Sequence, residues 1–306
     1  LADGTLAESR LRESAARVVE LALRGEALRA EKTVADKDAH HVLARRAAAA
    51  GTVLLTNDGL LPLASAEGLV VIGAYADDPR YQGGGSSRVS PTRVDSLRSA
   101  LLVDAPFAPG YDPVTGESTA AEVSEAVVLA SKAEAVVLVV GFPAGEEIES
   151  RDRPAVRLPE SMEDLVRAVC AANRRTVVVV QNGGSLELPW ADTPAALVEA
   201  YLGGQASGSA LADVLLGVVE PGGRLAESLP ESIAALPSDA NFPGLPRQVQ
   251  HRETQWVGYR FHDTFDVPAR FPFGHGLGYT TWDLSDLVVA DDGSSVTLRA
   301  TNTGDR

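Results

Sequence analysis

The chain has 306 residues, 45% hydrophobic and 23% charged, a composition typical of a globular protein of one large or two ordinary domains. Its formal net charge of −15 argues against a nucleic-acid partner or an anionic membrane surface. Because no window approaches about 18 uninterrupted apolar residues, no transmembrane helix is predicted. The single cysteine, Cys170, excludes an intrachain disulfide and a paired-cysteine metal site, and with only five histidines no structural zinc is expected.

The first sixty residues are predicted to be mainly helical. Apolar residues between Leu11 and Leu23 recur at helical spacing, which predicts a helix over residues 1–30. A second helix is predicted over Asp38–Ala50, and it leads into a short strand over Thr52–Thr56. A turn signal follows that strand and separates this part from the rest of the chain.

From Leu69 onward the pattern changes to alternating strands and helices. The further predicted strands are Leu69–Gly73, Ala135–Gly141, Thr176–Gln181 and Ala195–Tyr201. The predicted helices are Thr92–Leu102, Ala120–Lys132, Glu160–Ala172 and Ser207–Gly217. Runs of branched apolar residues without alternation are typical of strands covered on both faces, so we expect a largely parallel α/β sheet. Beyond Glu220 the chain is expected to be irregular, with a strand-like segment after Trp282.

Two loops are candidates for chemistry, because ligands of open α/β sheets bind where loops leave the carboxyl ends of strands. The loop Gly141–Arg153 concentrates three glutamates and an aspartate around two arginines. Carboxyl groups crowded in this way suit proton transfer near neutral pH, and a solvated acidic loop is the alternative. The loop Gln82–Ser87 lacks the lysine of a phosphate loop, so it indicates either close backbone approach to a ligand or another domain, or a flexible connector.

Two further side chains that could serve chemistry are predicted to be structural. His275 is expected to pack or to shape a turn, because no nucleophile elbow and no Ser/His/Asp order accompanies it. Cys170 lies in a predicted helix and is expected to be a small core residue.

Seven motifs follow one another along the chain, and their combination and order are specific enough to indicate a protein family. They are AGTVLLTNDGLLPL (50–63), YQGGGSS (81–87), ESRDR (149–153), GGQASG with ADVLLG (203–208 and 212–217), GRLAE (223–227), VGYR (257–260) and FPFGHGLGYTT (271–281). In this order they resemble the C-terminal half of the family 3 glycoside hydrolases, the β-glucosidase and β-xylosidase group. The resemblance covers nearly the whole chain.

The resemblance implies a domain order. The family has a (β/α)8-type barrel, then a six-stranded, mostly parallel α/β sandwich, and often a fibronectin III-like domain. Residues 1–30 would be the terminal helix of the barrel, and 31–60 the linker. Residues 61–282 would be the sandwich with an irregular C-terminal extension, and 283–306 the truncated start of the fibronectin III-like domain. We therefore expect the barrel to precede Leu1 in a longer polypeptide.

The resemblance also implies a retaining mechanism, in which the barrel supplies an aspartate nucleophile and the sandwich a glutamate acid/base. Glu149 is identified as the acid/base, because it begins the stretch that matches the Glu-Gly-aromatic-Asp-Arg pattern of the family. Ser150 and Arg151 replace the glycine and the aromatic residue of that pattern. Asp152 and Arg153 are expected to orient the loop.

The second loop is expected to line the substrate site or the interface with the barrel. Its residues are Gln82, Gly83, Gly84, Gly85, Ser86 and Ser87. Replacement of Glu147, two residues before Glu149, is expected to have only a modest effect.

The implied function is hydrolysis of a β-linked glycoside by an exo-acting, β-glucosidase-like enzyme without metal or organic cofactor. The chain would supply the acid/base domain, and the nucleophile would come from the barrel. The sugar and the oligomeric state are left open, and a cytoplasmic location is expected. Two alternatives stay open: a non-catalytic carbohydrate-binding or scaffolding module of the same ancestry, and an unrelated nucleotide-binding α/β protein, which would need phosphate contacts.

Overall fold

The computed structural model describes residues 5–29, 34–153, 155–244 and 247–306, and two compact units divide the chain between Ala39 and His40. The helices are α1 (Glu8–Arg29), α2 (Lys37–Gly51), α3 (Leu97–Ala100), α4 (Ala120–Ala130), α5 (Glu160–Ala172), α6 (Ser207–Leu215) and α7 (Tyr259–Phe265). The strands are β1 (Val53–Asn57), β2 (Leu69–Ile72), β3 (Phe107–Ala108), β4 (Ala135–Gly141), β5 (Thr176–Gln181), β6 (Ala196–Glu199), β7 (Leu229–Pro230), β8 (Ala269–Phe271), β9 (Trp282–Val289) and β10 (Val296–Asn302).

Helix α1 forms most of the first unit. Its charged side chains pair one turn apart, as Arg12 does with Glu8 at 2.7 Å, and such pairs stabilise a helix modestly. The helix confirms the prediction for this segment, whereas residues 1–4 and 30 of the predicted span lie outside the described residues. The assignment of residues 1–30 to a barrel and of 31–60 to a linker stays a prediction.

The second unit is built around a six-stranded sheet with the order β1-β6-β5-β4-β2-β3. Strands β2 to β6 pair in parallel, and β1 pairs antiparallel with β6 at one edge. Every residue of β4 and β5 is buried, as expected for branched apolar runs covered on both faces of a sheet. The predicted six-stranded, mostly parallel α/β sandwich is therefore confirmed.

The helices around the sheet form two pairs. Helices α4 and α5 pack against each other, and α3 packs against α6. The sequence of α5 explains why this segment is helical, because Met162, Val166 and Val169 recur at helical spacing and are fully buried on one face. Its bounds are those that the apolar periodicity predicts.

Several short elements differ from the sequence prediction. Strand β3 has only two residues, too few for a periodic signal, and was not predicted. Helix α3 is a single turn instead of the predicted Thr92–Leu102, because the Ser96 hydroxyl caps it by accepting a hydrogen bond from the Ser99 N–H at 3.2 Å. Helix α7 lies in a region that was predicted to be irregular.

The order of the strands creates a crevice at one edge of the sheet. From β2 the chain moves outward to β3, and it then crosses to the other side of β2 to form β4, β5 and β6 in turn. From β2 and β4 the chain therefore continues to strands on opposite sides of this strand pair. In open α/β sheets such a switch point is where ligands bind.

The C-terminal part of the second unit is less regular. Strands β7 and β8 pair, and β9 and β10 form a separate two-stranded antiparallel sheet. That sheet agrees with the strand-like pattern after Trp282, while its assignment to a fibronectin III-like domain stays a prediction. Within the described ranges, none of the helices has the length and apolar character needed to cross a membrane.

Candidate active site

An open cleft of about 620 Å³ lies at the switch point of the sheet. Four segments form its walls: the loop after β2, the loop after β4, the turn after β5 and the segment after β6. The lining residues are Gly83, Gly84, Ser86, Ser87, Glu146, Glu147, Ile148, Glu149, Arg151, Asp152, Arg153, Gly183, Gly184 and Leu202. The two loops singled out in the sequence therefore share one cleft.

Backbone contacts hold the first two loops side by side. The N–H of Gly84 donates to the carbonyl of Glu147 at 2.8 Å, and Gly84 forms a parallel bridge with Ile148. At Gly84 an added Cβ would lie 3.0 Å from the Ile148 side chain, so glycine permits this close approach. The result is a defined register between the two loops.

Glu149 is exposed on the wall of the cleft. The Ser86 hydroxyl donates a hydrogen bond to its Oε2, and this contact joins the two loops a second time. One carboxyl oxygen is thereby engaged by the protein, which orients the group toward the cleft. An exposed, oriented carboxyl group is suited to donate and accept a proton.

Ser150 has a backbone φ of 78°, in the left-handed region that a side chain disfavours. This is the position at which the family pattern has glycine, so the observed backbone explains that preference. The loop adopts the glycine-like conformation although it carries serine.

Arg153 ties the far end of the loop to its surroundings. Its Nη2 donates to the carbonyl of Ser185 at 3.2 Å, and its guanidinium lies 4.5 Å from the centre of the Phe142 ring. Asp152 is exposed on the cleft and has no side-chain hydrogen bond or ion pair within the described residues. Arg153 thus holds the end of the loop by contacts that Asp152 lacks, and the orienting role of both residues stays a prediction.

Two residues of the second loop do not face the cleft. Gln82 exchanges side-chain hydrogen bonds with the backbone of Val89, at 3.0 and 3.1 Å, and so closes the loop on itself. Gly85 lies behind Glu149, where an added Cβ would be 3.0 Å from the Glu149 Cβ. The other four predicted residues of this loop line the cleft.

Glu199, at the end of β6, is a buried carboxyl group that the sequence prediction missed. Complete burial raises its pKa well above the usual value, and the charges of Glu227 and Glu147 act in the same direction. The Tyr201 N–H donates to Oε1 at 2.9 Å, whereas Oε2 has no partner in the described part of the chain. A lone charged residue in an apolar strand is the signal that could have found it.

We expect Glu199→Gln to raise the thermal midpoint at pH 8 but to change it little at pH 4.5. The unfolded carboxyl ionises above its ordinary pKa of about 4.3, whereas the folded one stays protonated up to its raised pKa. Between those values the folded state binds more protons, so wild-type stability falls as pH rises. Glutamine removes this dependence. Thermal melting at both pH values tests it, and a midpoint difference independent of pH would contradict it.

The two side chains predicted to be structural are so. The His275 side chain donates one hydrogen bond, from Nε2 to the Leu55 carbonyl at 2.8 Å, and its ring packs against Phe271. Cys170 is buried, and burial raises the pKa of its thiol to about 11, which keeps it unreactive. Among the described residues, no group of three or more His, Cys, Asp or Glu side chains is arranged to hold a metal ion.

Comparison with known proteins gives one consistent result. A family model described as the glycosyl hydrolase family 3 C-terminal domain matches residues 52–279. The chain is 40% identical to thermostable beta-glucosidase B of Acetivibrio thermocellus, over 94% of this chain and 39% of that protein. It is 39% identical to an exo-alpha-(1->6)-L-arabinopyranosidase of Bifidobacterium longum, over 88% of this chain and 38% of that protein.

The fold comparison agrees. The crystal structure of a Bifidobacterium adolescentis GH3 beta-glucosidase superposes with a TM-score of 0.93 and 37% identity, over 99% of this chain and 46% of that one. The chain thus spans less than half the length of each of these relatives.

Proposed function

Since the chain belongs to glycosyl hydrolase family 3, whose C-terminal domain it contains at residues 52–279, we propose that it carries the general acid/base of an exo-acting, retaining β-glycoside hydrolase. The observation that supports this most is the exposed Glu149 carboxyl group on the cleft at the switch point of the sheet. It occupies the first position of the family's acid/base pattern.

The proposed reaction has two steps, and Glu149 moves a proton in each. In the first step its carboxylic acid protonates the glycosidic oxygen as the bond to the sugar breaks. In the second step the resulting carboxylate accepts a proton from the water that attacks the glycosyl-enzyme. The Ser86 hydroxyl holds Oε2 throughout, so the proton is exchanged at Oε1.

A retaining enzyme needs a second carboxyl group about 5–5.5 Å from the first, which acts as the nucleophile. We propose that this group belongs to the part of the enzyme that the chain does not span, since the chain covers 39% of the Acetivibrio relative. The cleft would then face that part, and substrate would bind between the two.

The substrate is proposed to be a β-glucoside or a glycoside of closely related shape. One relative is named a beta-glucosidase and another an arabinopyranosidase, at 40% and 39% identity, so similarity alone does not separate the two sugars. Aryl β-D-glucoside and aryl α-L-arabinopyranoside are therefore the two substrates to compare.

We expect the full-length protein that contains this chain to hydrolyse at least one of these two aryl glycosides, and the 306-residue chain alone to hydrolyse neither. The chain alone would lack the nucleophile, and one carboxyl group cannot complete a double displacement. Release of nitrophenol by both purified proteins, against a buffer blank, is the measurement.

Two results would contradict this assignment. Turnover by the purified 306-residue chain would mean that it holds a complete site. Absence of turnover in the full-length protein, together with retained binding of the sugar, would favour the non-catalytic carbohydrate-binding module.

A further inference from the structure

A mostly buried ion pair lies beside the loop that carries Glu149. Arg80 Nη2 and Glu147 Oε2 are 3.3 Å apart, and their side chains are only 11% and 8% exposed. A buried pair of this kind is weak evidence for stability, because removing two charges from water costs about as much as their attraction returns. Such a pair can instead hold the segments that carry its two residues in a fixed relative position.

Arg80 makes three contacts through its guanidinium, one within its own segment and two with the loop after β4. Nε donates to the carbonyl of Phe142 at 2.9 Å, directly after β4, and Nη1 donates to the carbonyl of Gln82 at 3.2 Å, where the second loop begins. The third contact is the one with Glu147. The planar fork of donors in arginine suits such a junction, and lysine could not reproduce it.

Glu147 is fixed from the opposite side as well. Its Oε1 accepts a hydrogen bond from the N–H of Gly183, after β5, and its backbone carbonyl accepts from Gly84 at 2.8 Å. The side chain and the main chain of this residue are therefore both held, two residues before Glu149. Ser86, which contacts Glu149 directly, belongs to the same segment as Gly84.

We propose that Arg80 and Glu147 are positioning residues that set the orientation of Glu149. This rests on the proposed function, in which Glu149 is the acid/base. Glu149 itself is exposed, so its position depends on how rigidly the loop beneath it is held. Contacts to the ends of β4 and β5 link that loop to two strands that are buried along their whole length, and a functional group is held most precisely when such elements support it.

The test compares Glu147→Gln with Glu146→Gln in the full-length protein. Glu146 lies in the same loop and lines the same cleft, and both substitutions replace a glutamate by glutamine, so they change the charge equally. They differ in that the Glu146 side chain has no hydrogen bond or ion pair among the described residues. The value of kcat/KM is measured for a dinitrophenyl glycoside, whose leaving group needs no protonation, and for an alkyl glycoside, whose leaving group does.

Glu147→Gln is expected to lower kcat/KM for the alkyl glycoside by about 100-fold, the effect of displacing a catalytic group by about 1 Å. The dinitrophenyl glycoside should change much less, because only proton transfer is impaired. Glu146→Gln should leave the ratio of the two rates unchanged. Since Glu147→Gln leaves the charge of Arg80 unpaired, the double variant Arg80→Gln/Glu147→Gln, which removes both charges, is measured too and should show the same selective loss.

The positioning role would be overturned if kcat/KM fell equally for both glycosides, or did not fall, in both Glu147→Gln and the double variant. In that case a selective loss in Glu149→Gln would leave the proposed function intact. If Glu149→Gln itself shows no selectivity, the proposed function is wrong and the positioning role is overturned with it.

Discussion

Glu149→Gln in the full-length protein is expected to slow the proposed hydrolysis of alkyl glycosides by about 10²–10⁴-fold, the usual contribution of general acid catalysis. Glutamine keeps the shape of the side chain and its contact with Ser86 but has no acidic proton to give. Glycosides of acidic phenols need little protonation, so they should form the glycosyl-enzyme almost normally. Steady-state kcat/KM across leaving groups of different pKa measures the effect.

The second step should also fail in this variant, because the attacking water loses its base. With a nitrophenyl glycoside the intermediate should then accumulate and give a burst of nitrophenol. Glu146→Gln is the matched control and should show neither the leaving-group dependence nor the burst. A uniform loss over all leaving groups in Glu149→Gln would mean that the acid/base lies elsewhere.

Gly141→Ala is expected to destabilise the sheet by about 3 kcal/mol, at the upper end of the usual cost of overpacking. Gly141 ends β4 and pairs with Gln181 of β5, and a Cβ there would lie 2.0 Å from the Gln181 carbonyl oxygen. Because that oxygen belongs to the backbone of a buried strand, the two strands must move apart. For a unit of this size the thermal midpoint should fall by roughly 10 °C.

Gly145→Ala, four residues along the chain, is the control. The nearest atom to an added Cβ there is Arg151 Nη1, at 4.0 Å, and the residue is exposed. Its midpoint should stay close to that of the wild type. Equal midpoints for Gly141→Ala and wild type would show that the ends of β4 and β5 can separate at little cost.

The central layers of the fold could be predicted from the sequence because their signals are local and long. The bounds of β4, β5 and α5 follow from continuous runs of branched residues or from a clear helical period. Strand β3 is part of the same sheet, but its two residues carry no period, and its pairing with β2 is set by the fold. Local patterns therefore predict the layers and not their edges.

The candidate site was predictable in part for a similar reason. Loops after neighbouring parallel strands meet at one edge of the sheet, and this brings Gln82–Ser87 to the segment that carries Glu149. The pairing of Arg80 with Glu147 depends on a register between residues far apart in sequence, which no local pattern contains. The sequence therefore predicted only a modest effect of replacing Glu147, whereas the structure shows its side chain mostly buried and paired with Arg80.

Azide rescue of Glu149→Gln tests the role of Glu149 most directly. Azide is a nucleophile that needs no deprotonation, so it can replace the water whose base has been removed. With a nitrophenyl glycoside, we predict that azide raises turnover of the variant and not of the wild type, and that NMR identifies the product as the β-glycosyl azide. An unchanged rate, or an α-glycosyl azide that would assign Glu149 to the role of nucleophile, would contradict this.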